Sequence, residues 1–198
     1  MFISTDSVNG GATKAGSVPA GARYAKITVL GGGGRGGASV GTNIPSMYGG
    51  GGGGAGGVQV SNFIVTPSTA YSLVSGIPGS FGVTAGDSTF TIGSTILKGF
   101  GGENGQNAEF VINPSGPTGA TGAVGGMGGS ASTVPSGIGT LFFGSNGVSG
   151  QSDVFGRGGT AGIMNGVYGN GGNGAYTGGP GAKDGQSGWV EVSFYDII

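Results

Sequence analysis

Glycine supplies 54 of the 198 residues, gathered into runs that alternate with short stretches of β-forming residues. The longest unbroken run is Gly49 to Gly54, followed by Ala55-Gly56-Gly57. Glycine loses the most backbone entropy on ordering and brings no side chain to bury. A chain built this way either stays disordered or packs backbone against backbone. Composition points to the second outcome. Disordered segments are rich in charge and poor in aromatic and β-branched residues. Here 8% of residues are charged and 9% are aromatic, and valine and isoleucine are plentiful. The length suits one ordered domain with a short appendage.

The same composition closes several function classes. There is no histidine, so the commonest general base near neutral pH and the commonest metal ligand are both missing. There is no cysteine, so neither a disulfide framework nor a thiolate metal site is open to the chain. The formal net charge is −1, with no basic stripe to neutralise a row of phosphates. The expectations are therefore no enzyme activity, no cofactor, no bound metal and no nucleic acid. Met1 to Asp6 carries no basic and apolar signal-peptide pattern, and no apolar stretch approaches the ~18 residues of a membrane span. Synthesis in a cytoplasm without membrane insertion is expected.

Along the chain, residues 1–16 read as an irregular lead-in, and 17–198 as a glycine-rich β domain. Tyr24 to Leu30 alternates between a wetter face and an apolar one, as a strand does. Val58 to Thr66 and Ala70 to Ser75 read as a β-hairpin turned at Pro67-Ser68-Thr69. Ser88 to Ile92 and Thr95 to Lys98 read as a second hairpin, turned at Gly93-Ser94. Trp189 to Tyr195 alternates clearly and reads as the closing strand. No segment keeps a helical period over ten residues, so essentially no α-helix is expected.

Glycine spacing between residues 99 and 188 carries a further signal. Gly116, Gly119, Gly122, Gly125 and Gly128 recur every third residue. Gly144, Gly147, Gly150, Gly156, Gly159 and Gly162 keep such a phase, broken only at Asp153, as do Gly166, Gly169, Gly172, Gly178 and Gly181, with Ala175 filling the gap. Three residues per turn is the period of the polyproline-II helix. Glycine at every third position leaves one bare edge, along which two such helices can approach until their backbones hydrogen-bond. A collagen triple helix shares the period but needs sustained triplets and abundant proline, and the first run holds Pro117 alone. The fold class expected is all-β: short antiparallel strands in a small sheet or sandwich, with a bundle of packed glycine-rich polyproline-II-like helices.

Candidate sites are few. Gly31-x-Gly33-x-x-Gly36 follows a strand, as the dinucleotide fingerprint does, but Gly37-Ala38-Ser39-Val40-Gly41 will not make the helix that holds the pyrophosphate. The carboxylates are scattered, and none stand paired for catalysis. Aromatic residues that interrupt the glycine runs are better candidates. A ring at a loop tip can stack on a sugar or fill a receptor pocket. Met47, Tyr48, Phe142, Phe143, Tyr168 and Tyr176 are the residues so placed. The competing role for each is to cap the ends of the glycine-rich core.

The order of these elements resembles a known family. Val18-Pro19-Ala20-Gly21 precedes the strand Lys26-Ile27-Thr28-Val29 and then Gly31 to Gly34. A glycine run leads into Val58-Gln59-Val60, the turn Val65-Thr66-Pro67, and Tyr71-Ser72-Leu73-Val74. Gly185 to Gly188 leads into the strand Trp189 to Phe194. Over residues 17–195 this is similar to the glycine-rich domain of distal bacteriophage tail proteins. The glycine runs also resemble the polyglycine-II core of phage tail-fibre tip adhesins. The resemblance implies a virion protein that recognises a bacterial surface receptor, protein or polysaccharide, through loops joining glycine-rich helices. It further implies contacts with other virion proteins, and a homo-oligomer such as a trimer or attachment to a fibre. It assigns no binding residue. Two other readings compete: a structural virion component, in capsid decoration or tail assembly, and an ice-binding protein.

Overall fold

The computed structural model describes residues 1–39, 50–113, 116–121, 126, 129, 138–142, 144, 146–147, 168–172, 174 and 181–196. Among these the regular structure is all β, with no helix. The strands are β1 (Phe2–Asn9), β2 (Thr13–Ser17), β3 (Tyr24–Leu30), β4 (Val58–Ile64), β5 (Ala70–Val74) and β6 (Ser88–Ile92). They continue with β7 (Thr95–Gly99), β8 (Glu109–Asn113), β9 (Gly116–Thr121), β10 (Ile138–Phe142) and β11 (Trp189–Tyr195). One antiparallel sheet has the order β1-β11-β3-β4-β10, and a second has the order β2-β5-β6-β7. β8 and β9 pair with each other.

The two large sheets share one apolar core. Ala25, Ile27 and Val29 of β3 and Val190, Val192 and Phe194 of β11 meet Tyr71 and Leu73 of β5, Phe90 of β6 and Leu97 of β7. These are the alternate residues of each strand, so the period of two delivers one apolar face per sheet. Polar links cross the same gap. The Gln59 Oε1 of β4 accepts from the Lys98 N–H of β7 at 3.2 Å. Asp6 of β1 accepts from the Tyr71 hydroxyl of β5 and from Lys14 Nζ of β2. A second, smaller cluster lies on the other face of the first sheet. It joins Leu30, Ala55 and Val58, with Val60, Tyr168 and Trp189 packed against it.

Three expectations are corrected. Residues 1–16 are not an irregular lead-in: they form β1, which pairs along its length with β11, and most of β2, which pairs with β5. The 58–75 hairpin does not exist. β4 pairs with β3 and β10, whereas β5 pairs with β2 and β6. The Pro67-Ser68 turn, with Ser68 at a φ of 66°, carries the chain from one sheet to the other. Gly116 and Gly119 lie within strand β9, so the three-residue phase there does not mark a polyproline-II segment. The β6–β7 hairpin, β3 and β11 match the expectation.

From the sandwich, irregular glycine-rich runs extend and bond to one another. The N–H groups of Gly31, Gly34 and Gly37 donate to the carbonyls of Gly57, Gly54 and Gly51. The N–H groups of Gly51, Gly54 and Gly57 donate in turn to Gln106, Glu103 and Phe100. Those of Gly102, Gly105 and Ala108 close the cycle on Gly32, Arg35 and Ala38. Three runs thus bond in a ring, each donating at every third residue. Around them, Gly33 and Gly36 donate to Gln186 and Lys183, Gly53 and Gly56 to Gly172 and Gly169, and Gly126 and Gly129 to Gly52 and Ala55. Ser88 sits where runs meet sheet. Its buried hydroxyl donates to the Leu30 carbonyl at 2.6 Å and accepts from the Gly76 N–H at 2.7 Å.

Candidate binding surface

Of the aromatic candidates, Tyr168 is the one whose side chain is described. It is half-buried, stacked on Trp189 with ring centroids 6.0 Å apart and planes 10° from parallel. Its hydroxyl accepts from Asn9 Nδ2 at 3.1 Å. Tyr168 therefore ties the entry of a glycine run to β1 and β11. Phe142 ends strand β10, opposite Val58 of β4. Met47, Tyr48, Phe143 and Tyr176 lie outside the described residues.

The Gly31-x-Gly33-x-x-Gly36 amides are all committed. Gly31, Gly33 and Gly36 donate to the carbonyls of Gly57, Gln186 and Lys183 at 2.8–3.0 Å. A phosphate cradle needs such N–H groups turned outward. Among the described residues no group of three carboxylates gathers where a metal ion would bind.

An aromatic ring outside the sequence candidates stands out. Phe81 is 84% exposed. It sits at the tip of a tight turn in which the N–H groups of Ser80 and Val83 each donate to the other's carbonyl at 3.0 Å. Gly82, at a φ of 73°, supplies the left-handed conformation that the turn requires. The Arg35 guanidinium lies over the Phe81 ring, 5.4 Å from its centroid. Arg35 Nε pairs with Asp184 Oδ1 at 3.2 Å, and Nη1 donates to the Gly36 carbonyl at 3.3 Å. The Arg35 backbone is held as well. Its N–H donates to Asn104 Oδ1 at 2.7 Å, and its carbonyl accepts from Gly105 at 2.8 Å. Asn104 Nδ2 reaches the Val83 carbonyl at 3.1 Å and so anchors the turn to the glycine runs. Together Arg35, Ser80, Phe81, Asn104 and Asn107 line an open pocket of about 160 Å³. Sequence reasoning applied the loop-tip criterion to the longer glycine runs and passed over Gly79-Ser80-Phe81-Gly82, where the same signal stands.

No protein-family model matches the chain, and no curated protein is significantly similar to it. What is defined is an architecture: among the described residues, an all-β fold of two large antiparallel sheets and a two-stranded one, carrying bonded glycine-rich runs.

Proposed function

We propose that this protein is a receptor-binding component of a bacteriophage tail or tail fibre. In this reading a bundle of glycine-rich, polyproline-II-like helices holds loops against a bacterial surface. The observation that supports it most is the three-residue spacing of the inter-run hydrogen bonds. In a polyproline-II helix each residue turns a third of a revolution, so every third N–H points the same way. Gly31, Gly34 and Gly37 serve one neighbouring run, Gly33 and Gly36 a second, and Gly32 bonds to Gly86 of a third. A single run thereby bonds to several others at once, which a β-strand, with two edges, does not do. Side chains at the contact positions would hold the runs apart, and this accounts for the glycine.

Such a bundle spends its residues on stiffness and leaves recognition to the connections, the usual division between scaffold and loops. The order of strands, turns and glycine runs resembles that of phage tail domains and supplies the bacterial surface as the target. The test is retention of labelled purified protein on a panel of bacterial strains with differing surface polysaccharides and proteins. Saturable retention on at least one strain, displaced by unlabelled protein, is the expected result. Absence of retention on every strain, together with immunogold labelling of a phage capsid and not its tail tip, would replace this reading with the structural one.

A further inference from the structure

We infer that the pocket at Phe81 is a saccharide-binding subsite of the surface just proposed, and the inference rests on that reading for its biological setting. The chemistry comes from the pocket itself. A pyranose ring has an apolar C–H face and a rim of hydroxyls that both donate and accept. Phe81 offers a flat apolar ring, 84% exposed, with Arg35 over the ring at 5.4 Å. Covering such a ring with the apolar face of a ligand recovers roughly 1.5–3 kcal/mol of burial, and here the ring is presented on a fixed turn beside polar groups. Around it stand the polar groups that the hydroxyl rim would meet. Asn107 spends its Oδ1 on the Ala38 N–H at 2.7 Å and keeps its amide nitrogen for a ligand. Arg35 has more guanidinium donors than its two bonds use. Asp184, 61% exposed, has acceptor capacity beyond Arg35. The Arg35–Asp184 pair sums to no net charge, which suits a neutral sugar better than an acidic one.

Rigidity strengthens the case. The turn is closed by two backbone hydrogen bonds and pinned through Asn104, and Arg35 is fixed through its backbone and its side chain. A site held this way loses little entropy when it orders a ligand. The pocket is shallow and open, as befits one unit of a surface polysaccharide and not a buried small molecule.

The test uses the whole protein on an array of bacterial surface polysaccharides and their constituent neutral and acidic oligosaccharides. Retention on one or more neutral glycans is expected. Phe81→Ala should weaken it roughly tenfold, the size of one aromatic contact. Asn107→Ala should weaken it less, and Phe81→Trp should keep it. Because Phe81 is exposed and its one ring contact is with Arg35, the thermal midpoint should fall by no more than about 4 °C on substitution. No glycan retained, or retention equal in Phe81→Ala and the unaltered protein, overturns the inference. Whole-cell binding measured beside the array separates the two ideas. Cell binding that survives Phe81→Ala without glycan retention removes the saccharide site and leaves the adhesin. Glycan retention without cell binding removes the adhesin and leaves the site.

Discussion

At Gly34 three backbones converge. Its N–H donates to Gly54 and its carbonyl accepts from Gly172, each at 2.8 Å. A Cβ built there would fall on the carbonyl oxygen of Glu103. That oxygen cannot retreat, because it accepts from the Gly54 N–H at 2.8 Å. Gly34→Ala should therefore cost on the order of 3 kcal/mol, the upper range of core overpacking. Gly181 is the control. It is exposed and a Cβ there meets nothing within 4 Å, so Gly181→Ala should stay within about 0.5 kcal/mol. Urea midpoints of the two variants check this, and equal shifts would sink the idea that glycine is demanded by packing. The sequence distinguishes these glycines only in part. Among the described residues the expected phase agrees with the donors Gly144, Gly147, Gly169 and Gly172, and it fails at Gly181, which is exposed and touches no neighbouring run. In the unbroken run from Gly49, every phase is present at once, so nothing in the sequence marks which residues touch. After β9 the described donors are Gly126 and Gly129, and the expected Gly122, Gly125 and Gly128 lie outside the described residues.

Among the elements, β1 and β2 were the least legible, and a polar cluster explains why they hold their places. Asp6 on β1 binds Lys14 of β2 at 2.6 Å and accepts from the Tyr71 hydroxyl of β5, clamping one sheet to the other. The hydrogen bonds from Lys14 and then from Tyr71 hold the Asp6 carboxyl below the ordinary carboxylate range. Burial, followed by the bond to Asp6, pushes the Tyr71 hydroxyl well up. A carboxylate with a depressed folded pKa contributes stability that is complete above its unfolded value, about pH 4, and is lost as pH falls through the lower folded value. A phenol with a raised folded pKa contributes stability that is complete below about pH 10 and is lost as pH rises through its folded value. Asp6→Asn should thus cost about 1 kcal/mol at pH 7, since the group is part-exposed. The gap from the unaltered protein should shrink between pH 4 and pH 2. Urea titrations across that range test it, and a gap that stays constant would remove Asp6 as the titrating clamp. None of this shows in the sequence of β1. Its alternation is polar, its partner β11 lies some 190 residues away, and an edge strand needs only one covered face. The β4–β5 turn misled for a different reason. A Pro-Ser turn serves a hairpin and an inter-sheet corner equally well, and side-chain pattern does not say which sheet receives the next strand.

At the scale of the whole molecule, the sandwich and the glycine runs depend on each other unequally. The runs bury few side chains, and each backbone hydrogen bond adds only about 1 kcal/mol net. Ordering a glycine costs more backbone entropy than ordering any other residue. Runs of this kind gain their footing from the strands that continue directly into them: β3 into residue 31, β7 into residue 100, and residue 57 into β4. Ser88 couples the two parts through Leu30 and Gly76. The consequence is that the runs should open with the sandwich and not before it. The Gly34, Gly54 and Gly102 amides should then exchange with opening free energies within about 1 kcal/mol of those of Ile27 and Val192 in the sheet. Phe90→Ala, which empties a fully buried position in the core between the sheets, should cost about 3–5 kcal/mol. It should lower glycine and sheet protection by the same amount. Hydrogen exchange followed by NMR on both proteins decides the matter. Glycine amides that exchange a hundredfold faster than the sheet, or that ignore Phe90→Ala, would mean that the runs are a separate and weaker unit.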